Sequence, residues 1–533
     1  MRCDGARAKS VQGNCSSARG VGTNAASTTT SGRIVRALML ASIALICSAH
    51  IGSPDAWFDG AAGPYHVLVH VRAPSVVPGI AVISIKPNEK VDTVTAFVNK
   101  FDAVAGAPPP DVAKPVPNES GWYRTDLWVM DPGSNSVTVS VHGAKGEGTV
   151  VVPLVAVAGR RLEFDGVLTA VLGVAAIVLV VGLLTLVGAA VRESVLPPGV
   201  QPDTTRRKRA RWAMVRGAVT IVVVVAGLGA WWRMEDSLFA QNLFKPFTVS
   251  AHTQFVEGAG NQLILTITDS AWTERHITRR TRPRGGSERT TLVDDHQKLM
   301  HLFVIAENGQ TNFAHLHPTT TDSVSFTSVL PPLPAGRYRV FADVLHATGL
   351  TQTLTTTVTL EAPRGSADPA LSDTDDAWIT GVAESSGATS RLADGSSLTW
   401  LGASAQHIVG EEAALRFGIA LPVGDTARLE PYLGMLGHAV VVRDDGAVFI
   451  HLHPMGTISM GAQTMLSRGR TSVHDMAMAG TPATAMRGDT LHFPYAFPNS
   501  GNYTVWVQVK RHGRVLTGAF RVAVAADARR GAP

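Results

Sequence analysis

Cysteine is nearly absent from this chain of 533 residues. Cys3, Cys15 and Cys47 all precede the first segment that could fold as a domain, so neither a disulfide nor a thiolate metal site can form beyond residue 47. A metal site in the folded part must therefore use histidine, methionine, aspartate or glutamate as ligands.

Charged residues are also scarce, at 17% of the chain against 45% hydrophobic residues. This balance indicates that part of the chain lies outside water. The net charge of +5 is small and the basic residues are clustered, which argues against nucleic acid as a partner. The sequence has no Gly-rich phosphate loop, nucleophile elbow or paired carboxylates in a suitable context, so we expect a protein that is not an enzyme.

Three apolar segments bear on the membrane. Residues 34–49 have the length of a signal-peptide core, so residues 1–50 are expected to be a disordered N-terminus followed by a signal peptide or an uncleaved anchor. Residues 166–191 carry no charge, and residues 213–232 carry only Arg216. Both are predicted to be transmembrane helices.

The short connection between these helices predicts their orientation. Residues 192–212 hold six arginines and lysines against two acidic residues, and such loops stay in the cytoplasm. The chain is therefore expected to cross the inner membrane of a bacterial cell more than once, with its large domains in the periplasm.

The outer regions carry the pattern of antiparallel β-sheets. Residues 60–160, 240–361 and 377–526 contain alternating or β-branched runs separated by Pro, Gly and Asn, and residues 362–376 have the composition of a linker. The predicted fold is mainly β with transmembrane α. It comprises an N-terminal Ig-like β-sandwich, a two-helix membrane hairpin and two distal Ig-like or cupredoxin-like β-sandwiches.

The two distal regions contain the same motifs in the same order. The segment Phe-Ala-His-Leu-His-Pro at 313–318 corresponds to Phe-Ile-His-Leu-His-Pro at 449–454. A later Gly-x-Tyr-x-Val occurs at 336–340 and again at 501–505. This repetition predicts a tandem duplication of one sandwich.

Turn signals predict which histidines face one another. A two-residue hairpin turn at 445–446 would set His438 opposite His453, with His451 on the same strand face. A three-residue loop at 308–310 would bring together the corresponding side chains of the first distal unit. These are His301, His315 and His317.

Clustered neutral imidazoles suit a divalent transition metal. The second distal unit also holds seven of the chain's thirteen methionines, and soft thioether sulfur favours copper over zinc. In the alternative interpretation, methionine fills an irregular core and His-x-His-Pro ends an edge strand. The predicted copper ligands are His438, His451, His453, Met455 and Met460 in the second unit and His301, His315 and His317 in the first.

Several segments carry a family resemblance. Residues 62–65, 127–130 and 188–194 resemble those of an uncharacterised family of bacterial inner-membrane proteins. The distal His-x-His-Pro units resemble YtkA-type and, more distantly, CopC-type periplasmic β-sandwich modules. The resemblance implies Ig-like sandwiches and, for the CopC type, copper held by histidine and methionine.

Two functions are compatible with these features. The first is a membrane-anchored periplasmic protein that binds copper and sequesters, senses or passes it without catalysis. The second is an envelope interaction protein whose histidines are structural. The expected partners are the lipid bilayer and other envelope or copper-handling proteins, without nucleic acid.

Overall fold

The computed structural model describes residues 55–527 with internal gaps, and the segment predicted as a signal peptide or anchor lies outside the described residues. The gaps are 102–107, 158, 160–164, 197–198, 200, 242, 270–290, 365–370, 372, 383–386, 414 and 468–489.

The first domain is a sandwich of two antiparallel sheets. One sheet has the order β1-β2-β3-β7-β6 and the other the order β5-β4-β8-β9. Alternate valines and isoleucines of both sheets meet in one core, as expected for strands with one face buried. The described strands are β1 (Ala56–Ala62), β2 (Tyr65–Arg72), β3 (Gly79–Pro87), β4 (Thr93–Lys100), β5 (Asp111–Val112), β6 (Lys114–Pro115), β7 (Tyr123–Val129), β8 (Gly133–Gly143) and β9 (Gly146–Ala156).

Two long helices follow this sandwich, α1 (Gly166–Val195) and α2 (Thr204–Gln241). Their most apolar windows have mean hydropathies of 2.9 and 2.0, so both are long and apolar enough to cross a membrane. Helix α2 begins before the predicted residue 213 and includes the basic run 206–211. Arginine, lysine and alanine are good helix formers, and the side chain of Asp203 accepts from the Arg206 N–H (2.6 Å), which extends the helix.

The second sandwich follows α2. Its sheets have the orders β10-β11-β15 and β12-β16-β13-β14-β18, and β17 also pairs with β16. Strand β18 pairs with β14, so residues 377–379 belong to this sandwich and not to the third as predicted. The strands are β10 (Val249–Val256), β11 (Gly260–Ile267), β12 (Leu292–Val293), β13 (His301–Ala306), β14 (Phe313–Leu316), β15 (Ser325–Val329), β16 (Gly336–His346), β17 (Thr351–Leu360) and β18 (Ala377–Ile379).

The third sandwich has sheets of order β19-β20-β22-β25 and β21-β27-β26-β23-β24. Here β26 lies between β23 and β27, as β16 lies between β13 and β17 in the second sandwich. The elements are β19 (Thr389–Arg391), β20 (Ser397–Trp400), β21 (His407–Ile408), β22 (Leu415–Ala420), β23 (His438–Arg443), β24 (Phe449–Leu452), α3 (Met460–Ser467), β25 (Thr490–Phe493), β26 (Gly501–Arg511) and β27 (Arg514–Ala525).

The sheets that carry the histidine hairpins pack against each other face to face. Strand β13 is buried at every position because Leu302 and Val304 enter the core of their own sandwich while Phe303 and Ile305 face the other sandwich. An apolar cluster joins the two sheets. It consists of Phe303, Ile305, Phe313, Phe341, Val440, Val442, Phe449 and Trp506.

The register of both hairpins follows the prediction, although their loops are longer. The Arg443 N–H donates to the Val448 carbonyl (2.9 Å), so the connection spans residues 444–447 instead of two residues. The Ala306 N–H donates to the Asn312 carbonyl (3.0 Å), which gives a five-residue connection instead of three. Each loop is centred where the sequence predicts, and the side chains that share a face are therefore unchanged.

Candidate metal centre

Seven histidines converge where the second and third sandwiches meet. Side chains alternate between the faces of a strand, so the histidines of each hairpin lie on the same face as the apolar cluster, at one end of it. Their ring centroids lie 4.7–6.1 Å from one another in neighbouring pairs. They are His296, His301, His315 and His317 of the second sandwich and His438, His451 and His453 of the third.

Two groups of three histidines have ligand-like spacing. Ring nitrogens of His301, His315 and His317, which we call triad one, lie within 4.8 Å of one another. Ring nitrogens of three further histidines, which we call triad two, also lie within 4.8 Å of one another. Triad two is formed by His296, His438 and His453, and it therefore combines both sandwiches.

The outer hydrogen-bond partners of His301 and His315 decide which of their ring nitrogens carries the hydrogen. The Nε2 of His301 lies 3.2 Å from the Asp295 carbonyl, and the Nδ1 of His315 lies 2.8 Å from Gln508 Oε1. Both oxygens can only accept, so these nitrogens carry the hydrogens of the neutral rings. The other nitrogens, His301 Nδ1 and His315 Nε2, are then two lone pairs only 3.2 Å apart, an arrangement that a shared cation would stabilise.

His317 and His453 also have one ring nitrogen beside an oxygen, which we call the outer nitrogen, and one without such a partner, which we call the inner nitrogen. The Nδ1 of His317 pairs with Asp376 Oδ1 (2.9 Å), and the Nδ1 of His453 donates to the Ile458 carbonyl (3.1 Å). Their Nε2 atoms are buried and have no hydrogen-bond partner. Metal-binding histidines characteristically hold one nitrogen with a carboxylate or carbonyl and present the other to the ion.

The remaining three histidines also present unpartnered nitrogens. The Nε2 atoms of His296 and His451 and both ring nitrogens of His438 are buried without a hydrogen-bond partner. An unsatisfied buried polar atom costs about 1–3 kcal/mol, so a concentration of them in one place calls for a ligand.

The supporting side chains cross between the sandwiches reciprocally. Asp343 and Gln508 occupy matching positions, opposite His301 and His438 in the two sheets. Each contacts a histidine of the other sandwich: Asp343 Oδ2 lies 3.6 Å from the Nδ1 of His451, and Gln508 accepts from His315. The site therefore requires both sandwiches.

Burial keeps six of these rings neutral. It lowers the pKa of His301 and His453 to about 3 and that of His317 to about 4, with further lowering by neighbouring imidazoles. Burial also lowers the pKa of three other histidines well below the usual value, namely His315, His438 and His451. Neutral imidazole is the form that binds a metal.

Carboxyl groups border the histidines. Burial raises the pKa of Asp343 and of Asp376 to about 7, so both can lose a proton when a cation arrives. Asp295 Oδ1 lies 3.6 Å from the Nε2 of His296 and accepts from the Gly461 N–H (3.0 Å).

The six predicted histidines lie in one cluster, whereas the sequence suggested a separate site in each unit. The methionine ligands stay a prediction. Met455 packs against the core of the first sandwich, and Met460 begins α3. Three further methionines of this unit, at 476, 478 and 486, lie outside the described residues.

Sequence reasoning missed His296 and the supporting residues. His296 lies in a tight turn with a positive φ of 54°, and nothing in the strand pattern indicates where that turn points. In the matching turn of the third sandwich, Leu433 stands at the position of His296 and Tyr432 at that of Asp295, so the repeat does not indicate a histidine there. Tyr432 is fully buried, and its hydroxyl lies 3.0 Å from the Nδ1 of His315.

A family model described as a domain of unknown function (DUF8832) matches residues 257–362 and 391–526, which together form less than half of the chain. These ranges include both histidine hairpins. No curated protein matches the chain.

Similarity to solved structures is distant. An engineered protein is 15% identical with a TM-score of 0.15, over 18% of this chain and 21% of that one. Latent PorU from Porphyromonas gingivalis is 10% identical with a TM-score of 0.13, over 89% of this chain and 34% of that one. MtrC from Shewanella baltica is 8% identical with a TM-score of 0.14, over 57% of this chain and 68% of that one. The chain spans about a fifth and a third of the first two, and likenesses this low carry no argument.

Proposed function

We propose that this protein is a membrane-anchored metal-binding protein that holds a transition metal between its second and third sandwiches. It sequesters, senses or passes the metal without catalysing a reaction. One observation carries the proposal: buried imidazoles present inner lone pairs to a common space while carbonyl, amide or carboxylate oxygens hold their outer nitrogens.

Copper is the ion that fits this donor set best. Imidazole nitrogen binds several divalent ions, and among them copper(II) stands at the top of the affinity order. Nitrogen donors alone favour copper here, without a methionine sulfur. Zinc is the comparison ion, because it also binds imidazole but takes four ligands in a tetrahedron.

We infer that the two distal sandwiches arose by duplication of an Ig-like unit. The two sheets share a strand order around the hairpin, the same register and the same pair of supporting positions. A duplicated unit that packs face to face would bring two copies of one histidine hairpin together at their interface.

We also infer that the three sandwiches lie on the periplasmic side of the inner membrane. The basic run at 206–211 lies beside the connection between the two long helices, and this connection is expected in the cytoplasm. A reporter that is active only in the cytoplasm, fused after Asp203, should be active. An exported, inactive reporter would contradict this orientation.

Metal content tests the function. The full chain, purified in detergent and loaded with copper sulfate or zinc chloride, should retain metal after desalting. Metal at a hundredfold above its dissociation constant should stabilise the fold by about 2.7 kcal/mol, which raises the melting temperature.

A pair of double variants supplies the control. His451→Ala with His453→Ala should retain less metal than the parent and show a smaller rise in melting temperature. His142→Ala with His512→Ala removes two exposed histidines outside the cluster and should respond like the parent. A parent that retains no metal, or a cluster variant that retains as much as the parent, would favour the envelope interaction protein.

A further inference from the structure

We propose that the cluster is a two-metal centre, with one ion in triad one, a second in triad two, and His451 between them. This inference rests on the proposed function and adds the number of ions and the residues that hold each.

The number of histidines exceeds what one ion uses. Imidazole-bound zinc takes four ligands, and tetragonal copper(II) takes four strong ones. Seven clustered imidazoles would leave three inner nitrogens buried and unpaired around a single ion, each at a cost of about 1–3 kcal/mol. Two ions can use all seven.

The ligand geometry divides the cluster in the same way. Only two groups of three meet the spacing of a metal site among the described residues, and the two groups share no residue. The outer partners also differ between the groups, except that Asp295 serves both: its carbonyl faces His301 and its carboxylate faces His296. Triad one is held by Asp376, Gln508 and the Asp295 carbonyl, whereas His453 of triad two is held by the Ile458 carbonyl.

His451 lies between the two triads. Its ring centroid is 5.2 Å from that of His301 in triad one and 4.7 Å from that of His453 in triad two. Its Nε2 has no partner, and its Nδ1 lies 3.6 Å from Asp343. The ring can therefore complete the coordination of either ion.

The surrounding charge suits two divalent cations. Buried cations need nearby negative charge to offset the loss of water. Asp295 and Asp343 each contact a cluster histidine, and Asp376 holds His317. Asp373 and Asp375 lie behind Asp376, where each forms an ion pair with Lys298.

Half-site variants test the assignment. The full chain in detergent, loaded with copper sulfate and desalted, should retain two copper ions. His317→Asn should remove the ion of triad one and leave one, and His296→Asn should do the same for triad two. Asparagine suits position 296 because it tolerates the positive φ found there. The control His252→Asn changes an exposed histidine on β10 and should keep two ions.

Electron paramagnetic resonance provides a second readout. Two neighbouring copper(II) ions couple magnetically, so the parent should give less signal than its copper content predicts. Each half-site variant should give the full signal of one isolated ion, and metal-free melting temperatures should show that both variants fold.

The outcomes separate the two proposals. One retained ion in the parent would overturn the two-metal centre and leave the metal-binding function standing. No retained ion would overturn both. Two ions in a folded half-site variant, or none, would show that the triads are not separate sites.

Discussion

At the scale of single residues, the defining feature is a set of histidines that burial keeps neutral. An imidazole in water has a pKa near 6.5, whereas His301, His317 and His453 have pKa values of about 3, 4 and 3. Protons therefore compete with metal at these three imidazoles only in strong acid. Metal binding should still weaken between pH 7 and pH 5, because Asp343 and Asp376, with pKa values of about 7, take up protons in that range.

The same shifts predict that the metal-free protein loses stability in acid. The unfolded chain takes up protons below pH ~6.5, while the folded histidines do not until pH ~3–4, so each depressed histidine costs up to about 1.4 kcal/mol per pH unit in that window. Asp343 and Asp376 act in the opposite direction, because their raised pKa values favour the folded state as pH falls below about 7. Six histidines outweigh two carboxyls, so a net loss is expected.

Urea unfolding in the presence of a chelator measures this effect. The free energy of unfolding should fall by several kcal/mol between pH 7.5 and pH 5.5, because the loss from the histidines exceeds the gain from the two carboxyls. Equal stability at the two pH values would show that the imidazoles are not desolvated in the folded state.

At the scale of elements, the sequence predicts the hairpins but not their partners. The register of each hairpin follows from the centre of its turn, which Gly309 and Gly446 mark even though the loops are longer than expected. The sheet-to-sheet contact is harder to predict. Phe303 and Phe449 lie on strands that carry apolar residues on both faces. Such a strand does not indicate which element covers its second face. His296 was missed because a turn has no fixed side-chain period.

The apolar cluster that joins the two sheets should control metal affinity. Phe449 stacks on Phe341 with a centroid distance of 4.3 Å and contacts Phe303 at 5.2 Å. Phe449→Ala should cost about 3–5 kcal/mol of stability and weaken copper binding, because the two sheets lose the packing that aligns the triads. Phe417→Ala removes a ring from the third sandwich's own core and supplies the matched control.

Melting temperatures and copper titrations of the two variants distinguish the roles. Both variants should melt lower than the parent, but only Phe449→Ala should bind copper more weakly. Equal copper affinity in the two variants would mean that the interface does not align the site.

At the scale of the whole molecule, the first sandwich contacts the loop that follows the second histidine hairpin. The Asp59 N–H donates to the Met455 carbonyl (2.8 Å), and the Thr457 N–H donates to the Trp57 carbonyl (3.1 Å). Ile458 directly follows Thr457, and its carbonyl holds the Nδ1 of His453. The contact with the first sandwich therefore supports a ligand of triad two. The domain that precedes the two long helices in the chain is thereby linked to the candidate metal centre.

Gly456 makes this contact possible. Its φ is +117°, and a Cβ there would lie 2.1 Å from the Trp57 carbonyl oxygen. Gly456→Ala should therefore separate β1 from the loop and weaken copper binding by a factor on the order of ten, equivalent to ~1.4 kcal/mol. Gly446→Ala is the control, since its φ of +74° is also positive but its Cβ meets the flexible side chain of Arg339.

Copper titration of the full chain checks this link. Gly446→Ala should bind copper like the parent despite its own backbone strain, which costs ~1–2 kcal/mol of stability. Equal weakening in both variants would assign the effect to strain and not to the contact with the first sandwich.

The position of bound copper can be measured directly. Crystals of the full chain loaded with copper, measured at the copper absorption edge, should show anomalous scattering among the seven histidines. The predicted peaks lie between His301, His315 and His317 and between His296, His438 and His453. A map with no peak in the cluster, or with the copper beside the methionines that follow residue 454, would contradict the proposed centre.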